Sequence, residues 1–179
     1  NPWWPDTQFY RSTDGGKTWN PIWDWSTGYP NRNMKYTIDI SSCPWLDFGM
    51  IKELPETAPK LGWMVGDVEI DPFNSDRMMY GTGATLYSCD DLTKWDKNQK
   101  ITIKPTAKGI EETAVLSLIS PSEGAQVISG LGDIGGFKHD DLTKVTKSVF
   151  TKPAFTSTTS LDYAELKPNY IVRVGTGDD

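Results

Sequence analysis

The chain is poor in the residues from which most metal and redox sites are built. Its 179 residues hold one histidine, His139, and two cysteines, Cys43 and Cys89. A single histidine excludes a histidine-rich metal centre and argues against a Ser-His-Asp triad. His139 stands beside Asp140 and reads as a turn residue. Two cysteines permit one disulfide without establishing it, so redox compartment stays open. No apolar run approaches the roughly 18 residues of a membrane span, and the opening Asn1-Pro2-Trp3-Trp4-Pro5 lacks the basic and apolar segments of a secretory leader. Basic charge is scarce too: 18 Lys and Arg against 24 Asp and Glu leave a formal charge of -6. Nucleic acid and anionic membranes reward clustered cations, so neither is an expected partner. No metal and no cofactor is expected.

What is present points to strands. The hydrophobic share of 37% suffices for the ordinary core of a globular chain of this size. Alternation with period two, bounded by Pro, Gly, Asn and Asp, is the dominant local pattern. It also repeats. The pentapeptide Asp90-Asp91-Leu92-Thr93-Lys94 returns 50 residues later as Asp140-Asp141-Leu142-Thr143-Lys144. Pro72, Pro121 and Pro168 follow similar strand-like runs at intervals of 49 and 47 residues. That period suits a four-stranded propeller blade of about 40–50 residues. The expected fold is therefore all-β, built of β-propeller blades.

A second sign is Ser12-Thr13-Asp14-Gly15-Gly16-Lys17-Thr18-Trp19, which resembles the Asp-box hairpin of sialidase-type propellers. Asp accepts hydrogen bonds from turn amides, Gly supplies positive φ, and Trp packs beneath the hairpin. Ser88 to Trp95 keeps the Ser, Asp and Trp spacing, and Lys138 to Val145 is a weaker copy. Asp14, Asp90 and Asp140 are thus expected to be scaffold. The four arginines, Arg11, Arg32, Arg77 and Arg173, are too scattered to hold the carboxylate of a sialic acid. Asp14 and Asp90 lie 76 residues apart, and the excess over one repeat falls in residues 24–63, expected to be long projecting loops. Roughly three and a half repeats cannot close a ring of four to eight blades, so the chain is expected to be a segment of a larger propeller protein.

Sliding the sequence by 50 residues sets Gly83 of Gly81-Thr82-Gly83 on Asp133 of Gly132-Asp133-Ile134-Gly135-Gly136-Phe137. A third copy, Gly175-Thr176-Gly177, carries glycine again. One unit has exchanged a bare position for a carboxylate, which singles out Asp133.

The tracts 67–83, 109–115 and 132–137, with the Trp3-Trp4-Pro5-Asp6 opening and the Asp box, resemble glycoside hydrolase family 74 along nearly the whole chain. The resemblance implies two seven-bladed propellers in tandem, a polysaccharide cleft, and inverting hydrolysis of the β-1,4-glucan backbone of xyloglucan. Residues 1–115 would be the last blades of the first propeller with their loops, and residues 116–179 the first blades of the second. Asp133 matches the family's proton donor, and the general base would lie outside this chain. The remainder of the two-propeller enzyme and xyloglucan or a related β-glucan are the implied partners, and an extracellular location is implied with them. Inversion needs two carboxyl groups about 6.5–9.5 Å apart, one protonated and one activating water, and the donor's pKa must be raised by its surroundings. Gly135 and Gly136 are expected to let a glucan approach the backbone.

Trp3, Trp4, Trp23, Trp25, Trp45 and Trp63 lie outside the Asp-box anchor positions, and indole faces stack on the C–H faces of sugars. Trp3, Trp4 and Trp45 are the preferred substrate-binding members. Glu111 and Glu112 are adjacent, so in a strand they face opposite ways and cannot act as an acid pair. A non-catalytic Asp-box propeller that binds glycans or proteins, with Asp133 ordering a turn, is the alternative.

Overall fold

The computed structural model describes residues 3–49 and 52–177. It is nearly all β, with two short 3-10 helices at Pro44–Asp47 and Leu92–Lys97. Two compact units divide it: Asn1–Asp47 with Ile51–Glu112, and Phe48–Met50 with Thr113–Asp179. Among the described residues no helix is long and apolar enough to cross a membrane.

In the first unit, β1 (Tyr10–Arg11) pairs with β2 (Asn20–Pro21), and β3 (Trp23–Asp24) with β4 (Asn33–Met34). A larger sheet follows. Its strands are β5 (Tyr36–Ile38), β6 (Val68–Ile70), β7 (Met78–Gly81), β8 (Leu86–Cys89) and β9 (Ile101–Pro105), in spatial order β5-β9-β8-β7-β6. Strands β6 to β9 form the antiparallel meander that the repeat predicts. Strand β5 is an addition, running parallel to β9 with Tyr36 opposite Ile101 and Ile38 opposite Ile103. It comes from residues 24–63, expected as projecting loops. That stretch also supplies the buried side chains Tyr36, Cys43, Leu46 and Leu61. Once those apolar groups are taken out of water, each contributing about 1.5–3 kcal/mol, much of the insertion becomes core.

The alternation read from sequence is visible in β9, where Ile101 and Ile103 are buried while Thr102 and Lys104 face solvent. Tyr80 is 2% exposed, stacks on Tyr87 with centroids 5.6 Å apart, meets Phe9 edge-on at 4.9 Å, and donates its hydroxyl to the Leu61 carbonyl.

Asp6 is the deepest charge of this unit. Its carboxylate accepts hydrogen bonds from the amides of Thr7 (2.9 Å), Leu61 (3.1 Å) and Gly62 (3.4 Å) and from the Tyr36 hydroxyl (2.9 Å), and it pairs with Arg32 at 3.4 Å. Arg32 also reaches Thr57 and lies over the Trp23 ring. Burial raises the Asp6 pKa, opposed by these hydrogen bonds and by the arginine.

In the second unit, β10 (Val115–Ile119), β11 (Val127–Leu131) and β12 (Gly135–His139) form one antiparallel sheet. The other is a hairpin of β13 (Ser157–Ala164) and β14 (Lys167–Thr176). Ala125, Ile128 and Leu161 form a thin core with Ile119 and Phe150 packed on it. Val115, Leu116 and Leu118 of β10, and Ile171, Val172 and Val174 of β14, are exposed. No sheet closes on itself among the described residues.

Positions 76 and 126 both anchor the following turn, but through different contacts. Asp76 accepts hydrogen bonds from the amide and hydroxyl of Thr93, and Gln126, fifty residues on, accepts one from the Leu142 amide.

Candidate functional site

The Asp14 hairpin has the hydrogen bonding its residues predict. The Asp14 carboxylate accepts from Lys17 N–H (3.0 Å), Thr18 N–H (2.9 Å), the Thr18 hydroxyl (2.7 Å) and the Ser12 hydroxyl (2.8 Å), and Trp19 Nε1 donates to the Gly16 carbonyl. Those donors hold the Asp14 pKa down to about 2. The copy at Asp90 differs. Asp90 is paired with Lys104 at 2.7 Å and Arg77 at 3.4 Å, and Trp95 is buried in the Leu92–Lys97 helix with its Nε1 unpartnered. Asp140 pairs with Lys138, while Asp141 accepts from Thr143. The local bonds at these sites are turn contacts and ion pairs.

Asp133 lies between β11 and β12. The pair Gly81–Leu86 encloses four residues in the first unit, whereas Gly130–Gly136 encloses five in the second. Met78 pairs with Cys89 and Val127 with His139, so the first strands of the two hairpins are offset by 49 residues and the second strands by 50. The second tip has gained a residue. The simple exchange of Gly83 for Asp133 read from the sequence is corrected accordingly: Asp133 is the middle of a three-residue tip, 132–134, closed by the Leu131–Gly135 pair.

The tip is held from several sides. Gly132 N–H donates to the Ala114 carbonyl at 2.8 Å, Gly135 N–H to Thr156 at 3.2 Å, and Asp133 N–H to the Ser157 hydroxyl at 3.2 Å. Ile134 is buried at 5% exposure and anchors the turn, which leaves Asp133 exposed at its crest with φ of +65°. For a residue with a β-carbon that conformation persists only where neighbours enforce it.

Gly135 and Gly136 are buried, with φ of +75° and +132°. A side chain at Gly135 would meet the Phe155 carbonyl at 2.7 Å, and one at Gly136 would run into the Ser129 carbonyl. The close approach these glycines permit is that of the unit's own backbone.

The tryptophans separate by environment. Trp3 and Trp4 are 38% and 48% exposed, and Trp45 is half-buried in the Pro44–Asp47 helix. All three belong to the first unit, whereas Asp133, Gly135 and Gly136 belong to the second. Trp23 is buried, with Nε1 donating to the Thr7 carbonyl at 2.7 Å, so it is structural. Trp63 is packed on Gly83. Glu111 accepts from Gly109 N–H and from Cys43 Sγ, and Cys43 and Cys89 are both free thiols.

A groove of about 290 Å³ in the first unit, lined by Phe9, Tyr10, Trp19, Val68, Ile70 and Trp95 among others, contains none of the expected site residues. His139 is half-buried at the end of β12 with Nε2 3.0 Å from the Ser129 hydroxyl. That hydroxyl is buried and also meets the backbone of Phe137, so the pair is a strand contact rather than a nucleophile and its base. Among the described residues no three His, Cys, Asp or Glu side chains group as metal ligands.

Two groups escaped sequence reasoning. Ser157 carries no motif. Arg173 had a signal, since it is a charge within the apolar run Ile171-Val172-Arg173-Val174. Its guanidinium lies 4.6 Å from the Phe150 ring centre and 4.4 Å from that of Phe155, and it donates to the Pro153 carbonyl and, at 3.4 Å, to the Thr158 hydroxyl.

No family model matches the chain. It is 58% identical over 178 residues to a xyloglucanase of Paenibacillus sp, covering 99% of this chain and 17% of that protein. It is equally similar to the xyloglucanase Xgh74A of Acetivibrio thermocellus, of which it covers 21%. Among solved structures, the GH74 xyloglucanase of Xanthomonas campestris matches 96% of this chain and 21% of its own, with a TM-score of 0.68 and 32% identity. The chain therefore spans about a fifth of the length of the curated relatives it matches.

Proposed function

We infer that this chain is a segment of a glycoside hydrolase family 74 xyloglucanase, an extracellular enzyme that cleaves the β-1,4-glucan backbone of xyloglucan. Residues 1–115 belong to the end of a first propeller and residues 116–179 to the start of a second. Asp133 is the general acid, and the base that activates water comes from the remainder of the enzyme. The observation that carries the reading is 58% identity through 99% of the chain to proteins named xyloglucanases.

The chemistry agrees with the tip's construction. Inversion requires an acid that presents its proton to the leaving oxygen while water attacks from the opposite face, across a gap of about 6.5–9.5 Å. An aspartate exposed on the crest of a pinned turn is free to present its carboxyl to a substrate, which supports the reading. Bound glucan would then exclude water from around the carboxyl. The exposed apolar faces of β10 and β14 fit the same picture, because surfaces of that kind are normally covered. Trp3, Trp4 and Trp45 are the proposed stacking residues for sugar rings.

The test is Asp133→Asn in the complete enzyme. Xyloglucan hydrolysis should fall by at least about a thousandfold while polysaccharide binding and folding persist. Turnover within a few-fold of wild type would instead leave Asp133 as a turn residue of a glycan-binding or protein-binding propeller.

A further inference from the structure

One narrow strap, residues 153–158, supplies several of the contacts that hold the crest on which Asp133 stands. Ser157 accepts the Asp133 amide proton on Oγ at 3.2 Å, and the Thr156 carbonyl accepts that of Gly135 at 3.2 Å. The Phe155 carbonyl fills the place a side chain at Gly135 would need. The strap is clamped in turn. Arg173 donates to Pro153, reaches Thr158, and lies against the rings of both Phe150 and Phe155. Phe155 is seated against Gly175 and Gly177, where any β-carbon would collide or crowd.

Of these contacts, the one from Ser157 alone joins a side chain to Asp133 itself. An amide at positive φ in a residue with a β-carbon has a strained setting to hold, and a hydrogen-bond acceptor built into an adjacent strand fixes it. A proton donor must sit within hydrogen-bond reach of the leaving oxygen, and displacement of about 1 Å costs up to about a hundredfold in rate.

We propose that Ser157 is a positioning residue for Asp133: its hydroxyl, carried at the start of β13, sets the backbone of the crest so that the carboxyl meets the glycosidic oxygen. The proposal rests on Asp133 being the general acid. It assigns to Ser157 no contact with substrate and no proton transfer.

The experiment uses the complete enzyme with Ser157→Ala, Ser157→Cys, Ser157→Thr and Asp133→Asn. Cysteine keeps the volume but is a weak acceptor, whereas threonine keeps the hydroxyl. On xyloglucan, Ser157→Ala and Ser157→Cys should lower kcat roughly tenfold with KM within twofold, and Ser157→Thr should recover most of the loss. On an aryl glycoside of a xyloglucan oligosaccharide, whose phenolate departs without a proton, the deficit should shrink to within about threefold. A structural defect would depress both substrates alike, so equal losses on the two would overturn the proposal. So would a normal kcat in Ser157→Ala and Ser157→Cys alongside an inactive Asp133→Asn, which leaves the acid assignment standing. An active Asp133→Asn overturns both. If the alanine variant fails to fold, the cysteine and threonine variants carry the comparison.

Discussion

The indole of Trp63 packs against Gly83: a β-carbon on that glycine would stand 2.5 Å from Nε1 and 2.9 Å from Cδ1, and the Gly83 amide donates to the Trp63 carbonyl at 2.8 Å. At Gly175 the Phe155 ring would stand 2.7 Å from a β-carbon, but the Ser157 carbonyl is nearer still, and at Gly177 the Ala154 carbonyl comes first at 2.9 Å. Glycine therefore makes room for a ring at 83, and for backbone as well as a ring at 175 and 177.

Gly83→Ala should displace that ring. The contact is with a rigid indole whose own backbone is bonded to Gly83, so the expected destabilisation is about 1–3 kcal/mol. Urea unfolding followed by tryptophan fluorescence would measure it, and an unchanged midpoint would mean the ring moves freely.

Asp6→Ala should be costlier. It strands Arg32, whose Nε already lacks a partner, and removes the acceptor for the Leu61 and Gly62 amides. Breaking a buried pair in this manner costs about 3–5 kcal/mol. Calorimetry should record a lower transition for the first unit, and restoration by Arg32→Met in the double variant would identify the stranded cation as the cause.

Acid should act on Asp14 and Asp6 with opposite sign. Asp14 is held down to about 2 from 3.8, so its contribution is fully present above 3.8 and is lost as pH falls toward 2. The folded state binds the Asp6 proton more tightly than the unfolded chain, so that group costs stability as pH rises above the ordinary carboxylate range. Asp14→Asn should flatten the acid limb of a Tm–pH profile between 5 and 2, where wild type falls. An unaltered slope would show that its hydrogen bonds do not persist in solution.

Both thiols should resist labelling in the native protein. Burial pushes Cys89 up to about 11, and burial with the Glu111 carboxylate raises Cys43. Alkylation at pH 8 followed by peptide mapping should leave both unmodified until denaturant is added. Rapid native labelling of either would reveal local opening of the segment that carries it.

Much of this was legible because it is local. Alternation predicts β9 and the period predicts the β6 to β9 meander. The Ser12 to Trp19 spacing predicts a hairpin whose bonds all fall within those eight residues. What escaped was set by pairings distant in sequence. Asp6 meets Leu61 across 55 positions, Ser157 meets Asp133 across 24, and neither residue type announces its partner. The added residue in the 132–134 tip was hidden for another reason. The pentapeptide copies fix the offset of the strands that follow the tips and say nothing of those that precede them.

Strand β5 gives the first unit a property that its catalytic reading does not touch. The outer strand of an open sheet offers a row of unpaired amides and carbonyls on which a second molecule can template itself. Here Tyr36–Ile38 occupies that row along β9, and Asp39 N–H adds a further bond to the Ile103 carbonyl. The insertion between the first hairpin and the blade thus replaces a five-residue edge strand with one of three residues, and short edges are less prone to edge-on pairing. Removing residues 36–38 would bare the longer β9 edge and favour edge-on pairing.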